Sequence, residues 1–118
     1  MKVQFVEYPK CSTCQKAKKW LGLQKIEFED RHIKENPPSY EELKAWYKLS
    51  GLPLKKFFNT SGLLYKEMGL KDKLPKMSEE EQLKLLSGDG MLVKRPILWN
   101  ENFVLVGFNE AKWSDKLL

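Results

Sequence analysis

The sequence predicts an α/β protein built on one mixed sheet. Three observations predict it: a strand–helix–strand run opens the chain, a two-strand hairpin with a helix after it closes the chain, and the stretch between carries helical signals. At 118 residues the chain has the length of one domain, residues 1–118. That length buries a core without staples.

Lys2 to Tyr8 alternates apolar and polar residues, as a strand does, with Val3, Phe5 and Tyr8 contributing to packing. Pro9 ends it. Ser12 or Thr13 opens a helix that runs to about Leu23, with Cys14, Ala17, Trp20, Leu21 and Leu23 at helical spacing. Gly22 near its end reads as a C-terminal cap. Ile26 to Asp30 alternates again as a second strand. The connections are short, so the two strands are expected to be parallel with a right-handed crossover. His32 follows that strand and is expected to be exposed or loosely packed.

Asn36-Pro37-Pro38 breaks the pattern. Ser39 with Glu42 is a capping-box signature, and the helix behind it carries Tyr40, Leu43, Trp46, Tyr47 and Leu49 until Gly51 and Pro53 stop it. Leu54 to Phe58 fits one helical turn, Asn59-Thr60-Ser61-Gly62 a turn, and Leu63 to Met68 a short helix ending at Gly69. Ser78 with Glu81 is a second capping box, and its helix ends at Ser87-Gly88-Asp89-Gly90. Ile97 to Trp99 and Phe103 to Val106 form a hairpin across Asn100-Glu101-Asn102, and Asn109 caps a final helix. Trp20, Trp46, Trp99 and Trp113 read as packing residues.

The composition, 42% hydrophobic and 31% charged, is that of an ordinary globular protein. No apolar run is long enough to span a membrane, and the N-terminus lacks the continuous apolar stretch of a signal peptide, so a cytoplasmic location is expected. The net charge of +5 comes from lysines interleaved with Glu and Asp. Without a basic stripe carrying stacking aromatics, direct nucleic-acid binding is not expected. A monomer is expected.

The two cysteines stand three positions apart, in Cys11-Ser12-Thr13-Cys14. A loop this short constrains an unfolded chain very little, which leaves redox chemistry or metal binding for the pair. A structural zinc wants four ligands, and the chain has one histidine, His32, and no second CxxC. Redox chemistry is therefore favoured, and no metal is expected. Only a thiolate attacks a disulfide, and a helix start favours an anion through its unpaired N–H groups and dipole. Cys11 sits at such a start, directly after a strand. Cys14 lies one turn on, on the same face. Cys11 is thus the expected attacker and Cys14 the more buried resolver, with Ser12 and Thr13 supporting the turn between them.

Arg95-Pro96 precedes the hairpin. Alone, it reads equally as a turn device with a solvated arginine. In a thioredoxin-like arrangement a cis-proline loop sits against the redox cysteines. If Pro96 is that proline, Arg95 projects at Cys11, where a guanidinium stabilises a thiolate or binds an oxyanion.

With these elements in place the chain resembles the arsenate reductase (ArsC)/Spx family of thioredoxin-like proteins over essentially its whole length. The residues that carry the resemblance are Cys11-Ser12-Thr13-Cys14 with Gln15-Lys16-Ala17, Asn59-Thr60-Ser61-Gly62, Lys94-Arg95-Pro96-Ile97 and Gly107-Phe108-Asn109-Glu110. The resemblance implies a thioredoxin-like sheet with a helical insertion at about residues 36–93. It also implies a redox-active Cys11–Cys14 disulfide assisted by Arg95, with no bound cofactor. An external thiol such as glutathione or thioredoxin would serve as reductant, and a thiol or disulfide protein or small thiol as partner. Arsenate reductases of this type carry two further arginines, which would fall near Asn59 and Gly107; neither is arginine here. One guanidinium in place of three forfeits charge-assisted hydrogen bonds worth ~1.5–3 kcal/mol each, so arsenate reduction is not expected. Spx-like regulators share the CxxC, Arg95-Pro96-Ile97 and Gly107-Phe108-Asn109-Glu110. Their likeness implies the alternative, a redox sensor that binds the C-terminal domain of the RNA polymerase α subunit. Gly51 lies near a glycine of that interface, but a plain helix cap is the favoured reading of it. Leu52 to Gly62 looks more like the reductase-like members.

Overall fold

The computed structural model describes residues 2–118. In chain order the elements are β1 (Val3–Glu7), α1 (Ser12–Leu23), β2 (Phe28–His32), α2 (Tyr40–Ser50), α3 (Leu63–Glu67), α4 (Leu70–Lys73), α5 (Glu79–Gly88), β3 (Ile97–Trp99), β4 (Val104–Val106) and α6 (Glu110–Leu117). Short 3₁₀ turns lie at Leu54–Phe57, Leu74–Lys76 and Gly90–Leu92. The chain divides into two compact units, one of residues 2–32 with Arg95–Leu118, the other Ile33–Lys94.

The first unit holds the sheet, in the order β2-β1-β3-β4. β1 and β2 are parallel, as a short βαβ connection requires, with Val3 opposite Phe28 and Glu7 opposite His32. β3 runs antiparallel to both β1 and β4, which makes the sheet mixed, as predicted. Val3 and Phe5 share one face through the two-residue period of the strand. They pack with Ala17, Trp20 and Leu21 of α1, Leu98, Phe103 and Trp113 into one buried cluster. The rings of Phe5 and Trp20 meet Trp113 edge-on at 6.5 and 6.3 Å, and the Trp113 indole N–H donates to the Gly107 carbonyl at 3.1 Å. Each such aromatic pair contributes about 0.5–1.5 kcal/mol beyond its buried area.

Four sequence expectations shift here. Gly22 is not the cap of α1: the helix runs past it to a C-cap at Gln24, and the left-handed residue is Lys25, at φ 57°. The second strand is Phe28–His32, two residues later than expected. The Ile26 N–H is already used, donating to the Leu21 carbonyl at 3.1 Å to close the helix end, so the ladder begins only at Phe28. His32 therefore ends β2 rather than following it, half-buried, with its ring edge-on to Tyr8 at 5.7 Å. Phe103 falls in the turn before β4, where the Asn100 side chain accepts from the Asn102 and Phe103 amides at 2.7 and 3.2 Å.

In the second unit both capping boxes form. Ser39 and Glu42 exchange side-chain bonds with each other's backbone at 3.1 and 3.0 Å, and Ser78 and Glu81 do the same at 3.1 and 3.0 Å. Gly51 ends α2 in the left-handed conformation at φ 69°. α5 includes Ser87 and Gly88, two residues more than expected, and Asp89 instead caps the following 3₁₀ turn through the Met91 amide at 2.9 Å. α4 and the turn after it are too short to carry a periodic signal.

Gly90 in this unit is buried, and a Cβ there would overlap the Ile33 carbonyl oxygen while standing 3.3 Å from Pro37 Cβ. The obstacle is backbone, so Gly90→Ala is expected to lower stability by about 1–3 kcal/mol in thermal or urea unfolding. Gly88→Ala, where a Cβ meets nothing within 4 Å, is the matched control and should change stability little.

Candidate functional site

The site grows from the end of β1. After Glu7 the chain turns through Tyr8-Pro9-Lys10, and the Cys11 N–H donates to the Tyr8 carbonyl at 2.9 Å. The Gln15 side chain donates to the Pro9 carbonyl at 2.8 Å and ties the turn to the helix. Cys11 is the N-cap of α1 in extended conformation, and its carbonyl accepts the first helical bond from Gln15 at 3.1 Å. An N-cap side chain ordinarily receives the amides two and three residues on. Here those are Thr13 and Cys14. The neutral thiol caps nothing, but both amides favour the thiolate.

The two thiols are free, Cys11 half-buried and Cys14 fully buried. Burial opposes ionisation of Cys11. The Cys14 amide and thiol, the Arg95 charge and the Thr13 amide outweigh it and hold Cys11 below the ordinary thiol value. Burial pushes Cys14 up to about 12; a backbone bond from Tyr8 and the Arg95 charge oppose this, and Cys11 adds to it. Ser12 and Thr13 are exposed in the first turn of α1.

Sheet pairing explains how Arg95 reaches the cysteines. Val6 pairs with Ile97, so the start of β3 lies beside the end of β1. Pro96 is buried, the Arg95–Pro96 peptide bond is cis, and the Pro96 carbonyl accepts from the Gly107 amide at 2.8 Å. The Arg95 guanidinium lies over the Tyr8 ring, 5.3 Å from its centroid. Cys11, Cys14 and Arg95 are thus within electrostatic reach of one another.

Two features escaped sequence reasoning. Tyr8 carries the Arg95 guanidinium on its ring and both cysteines on its backbone. Glu7 is 2% exposed and is the buried charged side chain among the described residues. Its Oε2 lies 3.7 Å from Lys18 Nζ, which in turn bonds Asp30 at 2.7 Å. Burial, then the hydrogen bond and charge of Asp30, raise Glu7 to about 7 against the pull of Lys18. Burial also acts to raise Asp30, but the bond from Glu7 and the Lys18 charge hold it below the ordinary carboxylate value. The available signal was parity: Glu7 continues the buried series Val3, Phe5. No cluster of three or more His, Cys, Asp and Glu suited to a metal ion exists among the described residues, and no helix among them is long and apolar enough to cross a membrane.

Arg95→Ala is expected to raise the Cys11 pKa, read as a several-fold slower alkylation at neutral pH. Tyr8→Leu should shift the profile in the same direction by less, and Tyr8→Phe should leave it in place, because the ring face is kept. An unmoved profile in Arg95→Ala contradicts this role for Arg95.

A four-stranded mixed sheet with a CxxC at its first strand–helix junction and a cis-proline loop beside it defines a thioredoxin-like protein. The family model for the ArsC family matches residues 6–115, and the chain belongs to that family. It is 56% identical to the uncharacterized protein YusI of Bacillus subtilis (strain 168) over 115 residues, 98% of each chain. It is 32% identical to the global transcriptional regulator Spx of Enterococcus faecalis over 103 residues, 86% of this chain and 76% of that one. A crystal structure of an ArsC-family-related protein from Bacteroides fragilis superposes with a TM-score of 0.95 at 59% identity, covering 98% of this chain and 97% of the other.

Proposed function

We propose that the chain is a thiol–disulfide oxidoreductase of the reductase-like kind, working through Cys11 and Cys14 with Arg95 as electrostatic support. The observation that carries this reading is the split between the thiols: Cys11 is held below its ordinary value, and Cys14, one turn on, is raised to about 12. The first is suited to attack, the second to wait. The Cys11 thiolate attacks a substrate disulfide, forms a mixed disulfide and releases one thiolate. Cys14 then gives up its proton and attacks Cys11 Sγ. The Cys11–Cys14 bond forms, the substrate sulfur leaves as the second thiolate, and two protein thiols have been oxidised for one disulfide reduced. An external thiol, glutathione or thioredoxin, restores the dithiol. Ser12, Thr13 and Pro96 shape the site, and no bound cofactor enters the reaction.

The test is a single turnover of the reduced protein with glutathione disulfide. Loss of both protein thiols with release of two glutathione thiolates is the expected result. No exchange above the rate of free cysteine would refute the reading.

The likeness to Spx favours a second reading, a redox-sensing regulator that binds the C-terminal domain of the RNA polymerase α subunit. Gly51 adds nothing to it, because its left-handed helix cap accounts for the glycine. Capture of that domain in one redox state would support this reading, and absence of capture in both would remove it. Arsenate reduction is disfavoured by Asn59 and Gly107 where further arginines would be needed.

A further inference from the structure

The positive charge of the chain is concentrated beside Cys11. Between Glu7 and Glu27 the sequence carries five lysines and no acidic residue. The other long helices, α2, α5 and α6, each open with at least one glutamate, as a helix start favours, and α1 opens with none. Lysines in the first half of a helix gain nothing from its dipole, so helix stability does not account for them. Lys18 is committed to Glu7 and Asp30. The side chains of Lys10, Lys16 and Lys19 are exposed and form no ion pair or hydrogen bond among the described residues.

Helical spacing puts Ser12, Lys16, Lys19 and Leu23 on one ridge, within about 60° of one another and opposite the buried Cys14, Ala17 and Leu21. The ridge begins beside Cys11. It ends at Leu23, 69% exposed, next to Gly22, where a Cβ would meet nothing within 4 Å and a partner can approach closely. At 1.5 Å per residue, Lys16, Lys19 and Leu23 stand about 8, 12 and 18 Å along α1 from Cys11. An extended chain covers those distances in about two, four and five to six residues.

Resting on the oxidoreductase reading, we propose that this ridge of α1 docks the disulfide partner, and that the partner is a polypeptide with acidic residues beside its cysteine and an apolar residue beyond them. Charge complementarity and continuity with the Cys11 thiol carry the inference. A thiol of tripeptide size reaches Lys16 and stops short of Lys19 and Leu23. Opposite charges spread over a surface speed encounter and select partners, and salt screens them. Docking changes the rate of encounter and not the bonds exchanged. The Cys11 thiolate attacks the partner's disulfide, the mixed disulfide forms and one thiolate leaves with its electron pair.

The experiment uses a peptide with glutamates two and four residues, and a leucine six residues, to either side of a cysteine activated as its 2-thiopyridyl disulfide. Release of thiopyridone gives the second-order rate constant with the reduced protein. The comparison peptide has glutamine for each glutamate. The acidic peptide should react about five- to tenfold faster at about 20 mM salt, and that advantage should largely vanish at about 500 mM. Lys16→Gln with Lys19→Gln should remove most of the advantage, and Leu23→Ser should slow both peptides alike. Lys2→Gln with Lys116→Gln makes the same change of net charge at the other end of the sheet, where Gln4 pairs with Trp99 and Lys116 lies over Phe103, and should keep the advantage. All four lysines are exposed, so these variants keep the fold. Equal rates for the two peptides, an advantage unmoved in Lys16→Gln with Lys19→Gln, or an equal loss in Lys2→Gln with Lys116→Gln overturns the inference. Failure of the wild-type protein to react with either peptide would instead refute the oxidoreductase reading.

Discussion

Cys11→Ser is expected to abolish disulfide exchange, while Cys14→Ala should keep the first exchange and stop there. The reason is the division of labour set by position. At the N-cap of α1 the amides of Cys14 and Thr13 and the Arg95 charge favour an anion on residue 11. A serine oxygen cannot exploit them, because its hydroxyl stays protonated and it forms no bond to sulfur in exchange. At Cys14 the Tyr8 backbone bond and the Arg95 charge are outweighed by burial and by Cys11. Cys14→Ala should therefore accumulate one glutathione per chain on Cys11 after treatment with glutathione disulfide, visible by intact mass. The wild-type protein should pass through that adduct. Full turnover by Cys14→Ala would show that Cys14 is not the resolver.

The second large effect is a pH dependence of stability that originates at Glu7. Its pKa rises from an ordinary 4.5 to about 7 in the folded protein. Below pH 4.5 the group is protonated whether folded or unfolded, and its contribution is fully present. As the pH climbs toward 7 the unfolded chain loses the proton while the folded one keeps it, so that stability is lost. Above pH 7 the loss is complete and amounts to roughly 3 kcal/mol at most. Asp30 acts in a separate, more acid window: its lowered pKa contributes stability above its ordinary value that disappears as the pH falls through the folded one. Glu7→Gln carries no such proton. In urea unfolding at a series of pH values it should gain about 1–3 kcal/mol over wild type at pH 8 and little at pH 4.5. Parallel curves for the two proteins would contradict the account of Glu7.

Much of the fold was legible because its signals are local. The alternation through Val3 and Phe5, the helical spacing of Cys14, Ala17, Trp20 and Leu21, and the two Ser–Glu capping boxes are properties of short windows. The place of Cys11 and Cys14 at the first strand–helix junction was legible for the same reason. What was missed depends on distant partners. The start of β2 slid from Ile26 to Phe28 because the Ile26 amide is spent on Leu21. Lys25, not Gly22, took the left-handed turn, and nothing in its side chain announces that. The ring of Tyr8 meets Arg95 only because β3 pairs beside β1, across some 87 positions of sequence (95 − 8). Glu7 looked like an ordinary polar residue of an alternating strand, although its odd parity placed it with the core.

Peptide mapping of the oxidised protein reads a reversible Cys11–Cys14 disulfide without an intermediary assay. Residues 11–16 form one tryptic peptide that holds both cysteines. After mild peroxide or glutathione disulfide treatment, this peptide is expected to be lighter by two hydrogens, resistant to alkylation, and restored by dithiothreitol. Two alkylatable thiols after oxidation, or Cys11 oxidised to a sulfinic acid with Cys14 untouched, would contradict that expectation.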